Sequence, residues 1–356
     1  MNLDKLCDNR TPLTVRCVPL DDRHGREVIV VIAKLTYAVA PSGAGLLAAE
    51  QSPVRMSDDR VSGDPWSSVR FPSDFVDEKP GTDVLLVGSA YPPVDRAVTD
   101  MAVSLRLERG HATMQKELRV HGPRVYRDGV LGLAPGASAR LGVTPLVYEL
   151  AYGGNDEGPR GFVIERRNPA GRGVAAEPSR LIGQPAHVIE DPRVSVPSRT
   201  PAGFGPIPSS WSPRAERTGT HDTAWARERA PVRPADFDPR ANCTAPPDQW
   251  ASEPLIGDER VEVLGATPEG VWRFQLPRYA PRFGAVVRGV ERDLPTYLDT
   301  YLIDAEARRV ELVWRASFPA PKPLELLDAV LIAGETPLPE SLVDDLRRRN
   351  PVPRPS

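Results

Sequence analysis

Short apolar runs separated by turn residues dominate both ends of this 356-residue chain. Val28-Ile29-Val30-Val31-Ile32-Ala33, followed by Leu35, Tyr37 and Val39, is rich in β-branched residues and closes on Pro41-Ser42-Gly43, which predicts a buried strand. A second such run covers 82–90 and stops at Pro92-Pro93. Between 97 and 107 apolar residues fall at Met101, Val103, Leu105 and Leu107, the period of two that marks a half-buried strand. The pattern resumes over 113–120 after Arg109-Gly110-His111, so 97–121 is predicted to be a hairpin. Runs at 260–264, 271–276, 283–290, 296–303 and 309–317 repeat the style at a spacing of about ten residues, as in an antiparallel sandwich or barrel.

Two stretches near the end read as helices. Residues 323–332 are rich in Leu and Ala, and 339–349 begins with proline and ends in three arginines, which suit the first and last turns of a helix. Residues 150–258 show neither period. That region is dense in Gly, Pro, Arg and Asp, yet it carries Phe162, Phe204, Trp211, Trp225, Phe237 and Trp250, which a solvated linker has no reason to hold. It is expected to be ordered irregular chain held on the sheets by aromatic anchors and arginine–carboxylate pairs. The fold class is therefore mainly β. Antiparallel sandwich or barrel-like sheets come from both chain ends (1–149 and 259–320), with a long irregular middle region (150–258) and a short helical tail (321–356).

Composition sharpens this picture. An apolar fraction of 40% and a charged fraction of 26% are those of an ordinary globular chain, but 40 prolines are roughly twice the usual share and leave little room for long helices. A net charge of -3 gives no basic field for nucleic acid. No long apolar run and no signal-peptide pattern occurs, so no membrane partner is expected and a cytoplasmic location is. Cys7, Cys17 and Cys243 fit a reducing compartment, with Cys7 and Cys17 near enough in sequence to pair across a hairpin but more simply read as buried thiols.

Candidate chemistry is sparse. There is no GxSxG nucleophile turn and no phosphate-binding GxxxxGK[ST] loop, and His24, His111, His121, His187 and His221 show no metal-ligand spacing, so no cofactor is expected. Asp222, Asp236 and Asp238 could serve as the acid and base of a hydrolase. Aspartates beside prolines more often cap turns, and Arg214, Arg217, Arg233 and Arg240 are close enough in sequence to pair with them.

Several ordered motifs carry a resemblance. They are 145–154 (PLVYELAYGG), 168–173 (NPAGRG), 201–207 (PAGFGPI) with Trp211-Ser212-Pro213-Arg214, Gly219-Thr220-His221-Asp222 with Trp225, and 234–238 (PADFD) with Gln249. Asn9-Arg10-Thr11-Pro12 and Lys79-Pro80-Gly81-Thr82-Asp83 add to the set. Together they resemble a bacterial family labelled as a domain of unknown function, family 2169, whose members are encoded beside type VI secretion genes. His221 stands where the family often has tyrosine, and Trp250 where it has a polar residue. The resemblance implies a non-enzymatic adaptor or chaperone that binds a secreted effector toxin and helps load it onto a PAAR-like tip or VgrG spike protein. The signature or partner-binding candidates are Tyr152, Gly153, Gly154, Phe204, Trp211, Arg214, His221, Asp222, Trp225, Asp236, Asp238 and Gln249. A carboxylate-dependent hydrolase and a structural component of the spike are the alternatives.

Overall fold

The β-branched run near the start of the chain becomes the longest strand, Glu27–Val39, in the computed structural model, which describes residues 3–334 apart from 111, 130–131, 160, 195–198 and 254. It lies between Thr14–Asp21 and Arg309–Pro319 in a seven-stranded sheet. Tyr297–Asp304, Thr82–Val87 and Trp250–Ala251 extend that sheet beyond Arg309–Pro319, and Gly45–Leu47 pairs with the end of Glu27–Val39. Tyr297–Asp304 and Thr82–Val87 run parallel, with Thr300 opposite Asp83. The two β-rich ends of the chain thus build one sheet in common.

The 97–121 hairpin forms as Asp100–Arg109 against Ala112–His121, with Leu107 opposite Met114. It is the middle of a five-stranded antiparallel sheet completed by Arg260–Leu264, Val271–Gln275 and Ile189–Glu190. A four-stranded sheet takes Cys7–Asn9, Leu327–Gly334, Pro281–Val287 and Val290–Leu294 in that order. None of these sheets closes into a barrel.

Alternation along each strand decides what it buries. Ile29, Val31, Ala33, Leu35 and Tyr37 point to one face and meet Val103, Leu105, Val261 and Trp272 of the five-stranded sheet, with Phe283 and Val330 of the four-stranded one, in a single core. Burying each large aliphatic or aromatic side chain there contributes about 1.5–3 kcal/mol. Val28, Val30 and Ile32 point the other way and pack with Val313 and Val54.

Two expectations change on contact with the structure. The Leu and Ala content of residues 323–332 suits a helix, but after a short turn at Leu324–Leu326 the chain forms the strand Leu327–Gly334. The reason is period: Val330 and Ile332 alternate into the core, and Ile332 pairs with Phe283. The helix expected at 339–349 lies outside the described residues. The middle region is not wholly irregular either, since it supplies Ile189–Glu190 and Trp250–Ala251 to two sheets and a helix at Thr223–Glu228. No helix among the described residues is long and apolar enough to cross a membrane.

Candidate functional site: the clamped middle region

The second face of the seven-stranded sheet carries buried charge beside the small apolar cluster of Val28, Val30, Ile32 and Val313. Lys34, wholly buried, places its Nζ 2.5 Å from Asp74 and 3.4 Å from Glu311. Arg55 grips the same Glu311 with two hydrogen bonds of 2.5 and 2.7 Å. Burial alone would push the Glu311 carboxyl up, but hydrogen bonding from Arg55 and the Lys34 charge pull it down to about 2. Beside it, Arg315 pairs with Asp299 at 2.5 Å and donates to the carbonyls of Val76 and Asp74. These contacts strap residues 55–76 across the strands.

The middle region is fastened to the same face. Asp83 is fully buried and accepts hydrogen bonds from Lys79 Nζ at 2.7 Å, Thr244 N at 2.7 Å and Thr244 Oγ1 at 3.0 Å. Burial would lower the Lys79 ammonium, yet the Asp83 and Asp299 charges hold it above its ordinary value. Arg233 makes a two-pronged pair with buried Asp77, which also accepts from Asn242. Gln249 Nε2 donates to the carbonyls of Val84 and Phe204, tying strand to loop. Lys79 and Asp83 belong to a motif that pointed here; the roles of Asp77 and Arg233, separated by 156 residues, had no signal along the chain.

The signature residues divide into buried fasteners and exposed caps. Gly153, at φ 153°, lies where any Cβ would sit 2.1 Å from the Asn168 carbonyl oxygen, and Gly154, at φ 113°, abuts Gly171. Asn168 in turn donates to the carbonyls of Tyr148 and Tyr152. The YGG and NPAGRG motifs are therefore two halves of one backbone interlock, along which Tyr152–Gly153 runs parallel to Arg172–Gly173. Trp211 and Phe204 are completely buried, and Trp211 meets Tyr148 edge to face at 5.6 Å. Arg214 is buried as well and donates to the carbonyls of Ala241 and Ile207 instead of to a carboxylate. Burial lowers its pKa.

Two of the three aspartates, Asp222 and Asp238, cap turns, and Asp236 ties two segments together. Asp222 caps the helix Thr223–Glu228 by accepting from Trp225 N at 2.8 Å, and His221 packs against the Trp225 ring at 4.5 Å. Trp225 Nε1 donates to the Val232 carbonyl. Asp236 accepts from both the backbone N and the hydroxyl of Thr220, which hold its carboxyl below the ordinary range. Asp238 caps the turn Pro239–Asn242 and binds the Arg240 guanidinium, the chief cause of its lowered pKa.

A further polar cluster lies at the edge of the five-stranded sheet. His187, fully buried, bonds Tyr126 Oη at 2.7 Å through Nδ1 and Glu190 at 3.0 Å through Nε2. Burial would raise the Glu190 carboxyl, but His121, His187 and Arg124 together hold it well below the carboxylate range. The arrangement has the connectivity of a Tyr–His–Glu relay, but Tyr126 and His187 are buried and Tyr126 Oη also donates toward the Arg172 carbonyl. It joins the 124–126 segment to 172 and 187–190 as a structural brace. Cys7, Cys17 and Cys243 are free thiols, and His111 lies outside the described residues. Among the described residues no three His, Cys, Asp or Glu side chains gather as a metal site requires.

A family model described as an uncharacterized protein conserved in bacteria, DUF2169, matches residues 24–315. Neither the curated proteins nor the solved structures contain a match.

Proposed function

We propose that this chain, which belongs to the DUF2169 family, is a non-enzymatic adaptor that binds a type VI secretion effector and helps load it onto a PAAR-like tip or VgrG spike protein. The secretion assignment rests on the family resemblance carried by the ordered motifs between residues 9 and 249. The binding-platform part is supported by one observation above others. Buried fasteners such as Gln249, Arg214, Asp83 and the Gly153–Asn168 interlock fix an irregular surface on the sheets, so ordering it costs nothing at the moment of docking. The hydrolase alternative finds less support, because Asp222 and Asp238 are engaged in capping turns and Asp236 in tying Thr220 to the 234–238 segment.

Co-expression of the chain with candidate effector toxins and with PAAR-like and VgrG spike proteins of its own source organism tests the reading. A stoichiometric complex that survives gel filtration is expected. Elution of every pair as separate species would overturn the proposal.

A further inference from the structure

Phe162 departs from the aromatic-anchor expectation, being 53% exposed while Phe204 and Trp211 are buried. It stands on the hairpin Asn155–Gly158 with Gly161–Ile164. Its ring centroid lies 6.5 Å from that of Trp66, itself 39% exposed, at the tip of the hairpin Asp59–Arg60 with Val69–Phe71. Exposed apolar residues such as Val94 and Val143 occur singly on most surfaces; two aromatic rings held together at the tips of separate hairpins are a different matter.

Both supports are rigid. Asp64 accepts from Trp66 N at 2.7 Å, Ser67 Oγ accepts from Ser62 N, and Arg60 donates to the Ser67 carbonyl. Glu149, on the turn Tyr148–Leu150, takes hydrogen bonds from Ser67 Oγ, Ser68 N and Ser68 Oγ at 2.7–3.1 Å. Asn155 Nδ2 donates to the Pro169 carbonyl on the opposite side. Between them lies a cleft of about 190 Å3 with Trp66 at its rim and Pro169 to Gly171 along one wall.

The charge of this cleft is unbalanced. Asp64 and Glu149 both line it, no Lys, Arg or His does, and among the described residues neither carboxylate has an ion-pair partner. The hydroxyls that face Glu149 are already spent on it. A cation entering the cleft would find a lining that holds two carboxylates and an indole, groups that attract it. The volume falls short of the roughly 300 Å3 typical of small-molecule sites, and Phe162, which is not itself a lining residue, packs against Trp66 at the cleft, where a broader surface would cover both exposed rings. Arginine and aromatic residues dominate the energetic centres of protein interfaces.

We propose that the Trp66–Phe162 rim and its cleft form the docking surface for a partner protein, which seats a Lys or Arg side chain between Asp64 and Glu149 and lays a neighbouring apolar residue on the two rings. This rests on the adaptor reading and names the face it uses. The cation supplies specificity and the rings supply the apolar area.

Two measurements separate this inference from the reading beneath it. In the first, the Trp66 indole N–H resonance of the full chain, assigned through Trp66→Phe, is followed while N-acetyl-arginine methylamide or N-acetyl-glutamate methylamide is added. A saturable shift with the arginine compound alone, lost in Asp64→Asn, is expected; equal shifts with both, or none, would overturn the cleft chemistry. In the second, Trp66→Ala with Phe162→Ala is titrated against the partner protein that co-purifies with the wild type. A loss of at least tenfold in affinity at an unchanged melting temperature is expected. Unchanged affinity would refute the surface and leave the adaptor reading intact, whereas a wild type that captures no partner defeats the adaptor reading and leaves the first measurement to decide the cleft. A wild-type dimer that Trp66→Ala dissolves would assign the face to a second copy and overturn the proposal.

Discussion

The two faces of the seven-stranded sheet solve the same problem by different physics. On one, Ile29, Val31, Ala33 and Leu35 meet the other sheets through apolar contact, and the attraction is spread over many side chains. On the other, a smaller apolar cluster around Val30 and Ile32 is joined by Lys34, Arg55, Asp74, Glu311, Asp299 and Arg315, which hold long segments with a few directional contacts. Area is non-directional and tolerates a change of shape at similar volume. Buried ion pairs set a unique path for the chain but are costly to break, because a lost partner leaves a charge without water or counter-ion. The lesson is that the irregular part of this protein is held by specification where its core is held by burial.

Neighbouring residues on Glu27–Val39 make the sharpest test, since Lys34 and Leu35 point to opposite faces. Lys34→Met leaves buried Asp74 without its cation, while Glu311 keeps Arg55, and is expected to lower unfolding free energy by about 3–5 kcal/mol, whereas Leu35→Met, close in volume, is expected to cost less than about 1.5 kcal/mol. Urea titration of both variants reads the difference, and similar losses would break the contrast. Acid provides the next largest effect. Glu311 is held down to about 2 from an ordinary 4.5, so it contributes stability on the order of 3 kcal/mol that is fully present above about pH 4.5. That contribution disappears as pH falls through about 2. Urea midpoints measured from pH 6 to pH 2 should therefore drop steeply, and the slope should flatten in Glu311→Gln. The smallest effect belongs to the exposed caps: Asp222→Ala is expected to cost about 1 kcal/mol and to leave the far-UV circular dichroism of the sheets unchanged. A loss as large as that of Lys34→Met would mean that the exposed turn helps carry the buried network.

Much of the sheet system was legible because it is written in local patterns. The β-branched run at 28–33 and the alternation from Met101 to Leu107 need no distant information to read as strands. The misread stretch at 327–334 shows the limit of composition, since Leu and Ala suit a helix while the alternation of Val330 and Ile332 decides for a strand. Among the arginines, Arg240 pairs with Asp238 as adjacency suggested, but Arg233 reaches Asp77 and Arg55 reaches Glu311, 156 and 256 residues away. Such partners leave no period, and a single sequence offers nothing else to find them by. The YGG and NPAGRG motifs were visible as signatures, and their purpose, a mutual approach too close for any Cβ at Gly153, appears once the two segments are placed side by side. The Trp66–Phe162 pair was hidden for the same reason of distance.

The position of Arg309–Pro319 between Tyr297–Asp304 and Glu27–Val39 has a consequence for biosynthesis. At roughly 5–20 residues per second, translation leaves Glu27–Val39 waiting for tens of seconds before this neighbour emerges from the ribosome. Until then Glu27–Val39 presents an unpaired edge dense in valine and isoleucine, the kind of surface on which nascent chains stick to one another. A truncated gene ending before residue 309 would yield that sticky intermediate as its final product.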